Sequence, residues 1–276
     1  SGRMLGWASG LRFAPNTLAE FQWAKSPSWA LHTSVLQNRQ DSAIDASAID
    51  NVPGAFLLSN VLSACECKEL ISGTEGLGFD GSGDDGKGGR LPLIMPIDKA
   101  TTMRTCGQCV VLVPETMVAE LASRLSRHMP DGTGPIHINR RFRFYRYQPP
   151  GDTPVAEAQS FRPHLDGAQV KSNVLLRWWR ARGLLVEARP RRVSSFSVLL
   201  YLNDCGFEGG ETAFLSRSLP SRELELRATI NPQLGAAVVF HHGSSPLSPL
   251  HEGKMLLGGS TAPKYVARTD VYVGEV

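Results

Sequence analysis

The sequence predicts a mainly β fold buttressed by helices. Three observations lead there. Helix signals fall in the first half of the chain. From about residue 137 onward, short aromatic and β-branched runs alternate with Gly/Pro turns. With 276 residues and 42% hydrophobic content, the chain can fill one sizeable core or at most two small ones. No internal repeat is visible. A run of strands after a helical part points to a β-sandwich or barrel with helical support.

Residues 1–50 read as an extension. Its first forty residues hold four basic residues and a single acid, Glu20. An acid-poor, Ser-rich leader suits either the remnant of an organelle transit peptide or a poorly ordered segment outside the core; the second is preferred. Residues 51–276 read as one domain, with helical support over 60–130, a β core over 137–274 and an insertion over 171–192.

In the helical part, Ser63 can cap a helix running through Leu70 and Ile71 and stopping near Gly73. Pro114 opens a second helix, since its missing N–H is no loss in the first turn. There Met117, Leu121 and Leu125 recur every four residues, with Arg127 and His128 at the favourable C-terminal end. The glycine-rich stretch 79–90 lacks the GK[ST] ending of a phosphate loop and reads as a connection. The strands follow. Phe142, Phe144 and Arg146 alternate with Arg143, Tyr145 and Tyr147 over 142–147; 196–203 and 236–240 are apolar; 264–273 is a long strand.

Composition excludes some classes. A net charge of +3 demands neither nucleic acid nor an anionic membrane as partner. No apolar run reaches the length of a membrane span, so a soluble, intracellular protein is expected, its compartment and oligomeric state open. The five cysteines are odd in number and irregularly spaced, which is no disulfide framework. Cys106 and Cys109 form a CxxC without a second pair of good zinc ligands, so a structural role is expected. One stretch departs from this neutrality. Residues 171–192 carry seven basic residues against Glu187, interleaved with Trp178 and Trp179. A basic, aromatic segment can bind nucleic acid. A surface insertion packing its tryptophans inward is the preferred reading, given the near-neutral remainder.

His164-Leu165-Asp166 carries the chemistry. In an extended strand, residues i and i+2 share a face. The imidazole and carboxylate can then converge on one ion, with Leu165 directed into packing. A third ligand from a distant strand would complete a facial triad of two histidines and one carboxylate, the arrangement of non-haem Fe(II) oxygenases. His241, His242 and His251 are all chemically eligible; His137 reads as a surface or core residue.

The surroundings add a family pattern. Arg143 to Gly151, then Phe161 to Gly167, resemble the prolyl 4-hydroxylase-like branch of the Fe(II)/2-oxoglutarate-dependent dioxygenases. So do Ser197 to Asp204 with Phe207 to Phe214, the strand with Pro232, Gly235 and Phe240, and finally Leu250 to Gly253 with Lys264 to Val271. The resemblance spans roughly residues 53–274, with its motifs in order. It implies a double-stranded β-helix (jelly-roll) core. It also implies Fe(II), 2-oxoglutarate and dioxygen, with ascorbate as an admissible reductant. The pattern places the distal ligand after the loop that follows strand 236–240, which selects His251. It places the 2-oxoglutarate anchor at Lys264, just before Tyr265. Arg268, on the same strand face, is the other candidate, because the gap from His251 to Lys264 is a few residues longer than is usual in the family. Tyr147 should line the cosubstrate pocket, with Tyr145 as a second candidate.

The implied activity is hydroxylation of an unactivated C–H bond in a peptidyl residue or a small amino-acid-like molecule, releasing succinate and CO2. The carboxylate at Asp166 speaks for hydroxylation over halogenation, since related halogenases carry a small residue there. Asn139, Arg143, Trp178 and Trp179 are candidate substrate contacts, the tryptophans because their segment closely follows Asp166. Two rivals stand beside this reading: a cupin-type metalloenzyme that ignores 2-oxoglutarate, and a binding module without turnover.

Overall fold

A computed structural model describes residues 36, 43–79, 103–151, 158–169, 193–218 and 223–274. The insertion 171–192, with Trp178 and Trp179, therefore lies outside the described residues, as does most of the extension 1–50 and of the glycine-rich stretch 79–90.

The chain forms two antiparallel sheets. The larger contains β1 (Asp45–Ala48), β2 (Phe56–Ser59), β3 (Gly107–Leu112), β4 (Ile136–Ile138), β5 (Arg141–Tyr147), β7 (Ser194–Tyr201), β10 (Ala237–His241) and β12 (Lys264–Val273). Its order is β1-β2-β10-β7-β12-β5-β3, with β4 pairing β12. The smaller contains β6 (Phe161–His164), β8 (Thr212–Arg217), β9 (Leu224–Ile230) and β11 (Leu250–Gly253), in the order β6-β11-β8-β9. From β5 to β12 the chain passes back and forth between the sheets, so sequence-distant strands become neighbours. This is the double-stranded β-helix, a mainly β core with helical support, as expected from the sequence. Asp45 to Ala48 pair with Phe56 to Ser59 just before the boundary expected at residue 51.

Side-chain alternation on the central strands separates two cores. On β7, Val198 and Leu200 face the helices, while Leu199 and Tyr201 face the smaller sheet. The inter-sheet layer is completed by Phe214, Val238, Phe240 and Val266. Behind the larger sheet lie α1 (Ala64–Leu77) and α2 (Glu115–Ser126), contributing Leu70, Met117, Leu121 and Leu125.

Ser63 caps α1 as expected, and reciprocally: its Oγ accepts from Glu66 N at 3.2 Å, and Glu66 Oε2 accepts from Ser63 N at 2.7 Å. The helix does not stop at Gly73. It continues to Leu77 and ends at Gly78, whose φ of +87° suits glycine. An interior glycine costs only about 1 kcal/mol, less than the packing of Thr74 and the last turn provides. Pro114 opens α2 as expected. The helices are locked together by Arg124, which donates to Glu66 Oε1 at 2.7 Å and to Val61 O at 2.8 Å. No helix among the described residues is long and apolar enough to cross a membrane.

Candidate metal centre

His164 and His251 are direct register partners on β6 and β11. Their rings lie 4.3 Å apart, centroid to centroid. β6 is the edge strand of its sheet, which tolerates Pro163 without a ladder N–H. The strand ends at His164, so Asp166 sits on the following loop rather than two residues along a continuous strand. That loop is pinned by Gly243 N donating to Asp166 O at 2.9 Å. Leu165 consequently does not enter packing: it is 58% exposed, because the chain turns outward between the two ligand residues. Asp166 nonetheless arrives beside both imidazoles, at 3.5 Å from His164 Nε2 and 3.7 Å from His251 Nε2. The ligand atoms of His164, Asp166 and His251 all lie within 4.8 Å of one another.

These three residues fit a divalent cation on several counts. His164 Nδ1 lies 2.7 Å from Arg162 O and His251 Nδ1 lies 3.1 Å from Pro249 O. A carbonyl only accepts, so both Nδ1 atoms carry the proton and both Nε2 lone pairs face the centre. Phe161 stacks on His164 at 3.9 Å and Phe240 meets His251 edge-on at 4.7 Å, fixing the rings. Burial, the largest influence, pushes the His251 imidazole down to about 4, which keeps it a neutral ligand. Burial alone would raise the Asp166 carboxyl, but Arg268, His251 and His164 outweigh it and hold the group ionised, well below the usual carboxylate range. Asp166 Oδ1 is buried and meets the Arg268 guanidinium at 2.9 Å, and a carboxylate oxygen so placed keeps a lone pair for a metal ion.

A buried polar network backs the carboxylate. Ser197 Oγ donates to Asp166 Oδ2 at 2.6 Å. His242 Nδ1 lies 2.9 Å from Ser197 Oγ, and His242 Nε2 lies 2.7 Å from Ser194 Oγ. Arg268 places Nη1 2.9 Å from Asp166 Oδ1 and Nη2 3.2 Å from Asp270 Oδ1. Asp270 in turn accepts from Arg143 at 3.2 Å and from Asn139 at 3.3 Å. Arg143 and Asn139, candidate substrate contacts from the sequence, are thus engaged with Asp270. His242, a candidate ligand, supports Ser197. Ser197, Asp270 and Ser194 were missed. Their signal was present: each is a polar residue on a strand that reads as core.

Beside the triad lies a small cavity of about 30 Å3. Tyr145, Tyr147, His164, His251, Lys264 and Arg268 all line it. The two cations differ. Arg268 is paired with Asp166 and Asp270. Lys264 is 1% exposed, donates to Gly210 O at 2.6 Å, and stands 4.0 Å over the Tyr147 ring. Among the described residues it forms no ion pair, so an ammonium with three donors is buried against one carbonyl. Burial pushes it down to about 8. The Glu208 to Thr212 turn brings this carbonyl into place. Gly210 has φ +72°, and a Cβ there would stand 2.6 Å from Leu256 and 3.0 Å from the Lys264 side chain. Cys106 and Cys109 are both buried, in keeping with a structural role.

No protein-family model matches the chain. No curated protein matches it either. Solved structures do. A viral collagen prolyl hydroxylase from Paramecium bursaria Chlorella virus-1, in complex with 2-oxoglutarate, is 16% identical at a TM-score of 0.44, covering 82% of this chain and 100% of its own. A prolyl 4-hydroxylase from Pseudomonas putida is 15% identical at a TM-score of 0.39, covering 88% and 98%. HygX from Streptomyces hygroscopicus, with nickel and 2-oxoglutarate bound, is 12% identical at a TM-score of 0.43, covering 80% and 84%.

Proposed function

We propose that the chain is an Fe(II)- and 2-oxoglutarate-dependent oxygenase that hydroxylates an unactivated C–H bond of a peptidyl residue or a small amino-acid-like molecule. One observation carries the reading: the His164, Asp166 and His251 cluster shares a cavity with Lys264, a buried cation that forms no ion pair among the described residues. A metal centre alone does not call for such a lysine. An anionic cosubstrate beside the metal does.

In this reading His164, Asp166 and His251 hold Fe(II), which with 2-oxoglutarate and dioxygen supplies the oxidation, yielding succinate and CO2. The chain's own part is placement. The Arg162 and Pro249 carbonyls orient the imidazoles, and Ser197 and Arg268 fix the carboxylate. Lys264 takes the far carboxylate of 2-oxoglutarate, flanked by Tyr147. The cavity is narrow, so a five-carbon diacid would sit in close contact with its walls. The Lys264 bond to Gly210 O is the natural one to release, because the ligand carboxylate replaces it.

The test is turnover with Fe(II), 2-oxoglutarate and cell extract, followed by mass spectrometry for +16 products and by succinate assay. Asp166→Ala should abolish both succinate and product. Oxidation without succinate would replace this reading with a cupin-type enzyme. Absence of any turnover across extracts, with metal still bound, would favour the binding module.

A further inference from the structure

Resting on that reading, we infer that the substrate is a small apolar-bodied organic acid, whose anionic group is taken by Arg217 and whose hydrocarbon lies on Leu165. His164 borders two spaces. Inward is the narrow cavity already described. Outward is an open depression of about 500 Å3 lined by Met103, Pro163, His164, Leu165, Arg217 and Leu250. That volume falls in the range of small-molecule sites.

Its lining is unusual for a surface. Leu165 is 58% exposed and Met103 is 40% exposed, and both stand against a candidate metal ligand. Among the described residues, nothing packs on Leu165 closely enough to explain a leucine directed outward between His164 and Asp166. Apolar surface beside a metal centre lowers the local dielectric and holds a hydrocarbon segment close to it.

Among the described residues lining this depression, the one formally charged side chain is Arg217, at the end of β8. It is exposed and makes no side-chain hydrogen bond or ion pair among the described residues. Its strand neighbour Arg227, by contrast, pairs with Glu225 at 3.3 Å. Arg217 is therefore available to a ligand carboxylate, which its planar fork binds with two donors. An apolar floor, one cation at the rim and the metal ligand between them match an acid with a hydrocarbon body. A neutral or cationic substrate would leave Arg217 unmatched.

The test uses the full chain loaded with Co(II) and 2-oxoglutarate under anaerobic conditions. The probes are anilinonaphthalene sulfonate, which is apolar and anionic, and its uncharged relative N-phenylnaphthylamine. The wild type should bind the sulfonate saturably, with octanoate displacing it. Arg217→Gln should weaken the sulfonate roughly tenfold, the loss of one charge-assisted hydrogen bond, while leaving the neutral probe unchanged. Leu165→Ser should weaken both probes severalfold. Arg227→Gln should weaken neither. Equal sulfonate affinity in wild type and Arg217→Gln would overturn the inference, as would no saturable binding to the wild type. Displacement by an acidic peptide but not by octanoate would overturn the small-molecule assignment. The Co(II) absorption bands and 2-oxoglutarate binding are read on the same samples. If the wild type shows neither, the oxygenase reading fails first. If both are intact and the probes ignore Arg217, only the substrate assignment fails.

Discussion

The Arg268 guanidinium lies 2.9 Å from Asp166 and 3.2 Å from Asp270, so one cation bridges two buried carboxylates. Arg268 is therefore a counter-ion to two carboxylates, whereas Lys264 forms no ion pair among the described residues and is the proposed cosubstrate anchor. Arg268→Met should destabilise the fold by about 3–5 kcal/mol, because Asp166 loses its arginine partner and Asp270 keeps only Arg143. A divalent ion at the triad restores the missing charge beside Asp166. Co(II) should accordingly raise the melting temperature more in Arg268→Met than in the wild type. Equal Co(II)-induced shifts would show that the arginine and the metal do not share Asp166.

Ser197 holds the other oxygen of Asp166 and is itself held by His242. Removing the hydroxyl frees the carboxylate to rotate without removing a ligand. Ser197→Ala should weaken Co(II) binding about tenfold to a hundredfold, the usual range for a group that orients a metal ligand. Ser197→Thr keeps the hydroxyl and should recover most of that loss. A titration in which alanine and threonine behave alike would assign Ser197 to packing alone.

The sequence disclosed whatever lies along a single element and concealed what meets across elements. β5, β7, β10 and β12 are central strands with dense aromatic and β-branched residues, and their signal survives reading in isolation. Sequence reasoning misses β9, an edge strand that is mostly exposed, although Leu224, Leu226, Ala228 and Ile230 alternate with polar residues along it. At the site, His164, Asp166, His251, Lys264 and Tyr147 were placed by motif order. Ser197, His242 and Asp270 stand 31 or more residues from Asp166 and meet it only because the chain alternates between sheets. The outward turn at Leu165 was illegible because strand periodicity assumes a strand that in fact ends at His164.

The helical buttress makes its own prediction. Glu66 and Arg124 are both buried and form the ion pair that joins α1 to α2. Glu66→Gln keeps the shape and removes the charge, leaving Arg124 without its main partner. Urea unfolding should show a loss of about 3–5 kcal/mol with an unchanged m-value, and the folded fraction should bind Co(II) as before. A loss below about 1 kcal/mol would mean the Val61 carbonyl and Glu120 suffice for Arg124.

Lys264 gives the sharpest test of the cosubstrate assignment, through pH. Burial holds its ammonium at about 8, against an ordinary 10.5. Below pH 8 the side chain is charged and pairs with the far carboxylate of 2-oxoglutarate. Above pH 8 the free protein loses the proton, and binding must restore it. Affinity should thus be flat from pH 6.5 to 7.5 and fall about tenfold per pH unit above 8. The stability term has the opposite sign. Between pH 8 and 10.5 only the unfolded chain still binds this proton, so the lysine's burial penalty shrinks as pH rises. Lys264→Met fills similar space without a charge. It should bind 2-oxoglutarate about ten- to a hundredfold more weakly at pH 7, and show no drop above pH 8. Calorimetric titration of the Ni(II)-loaded protein reads both quantities. A methionine variant that binds 2-oxoglutarate normally, or that keeps the wild-type drop above pH 8, would remove Lys264 from the cosubstrate site and return the role to another group of the cavity.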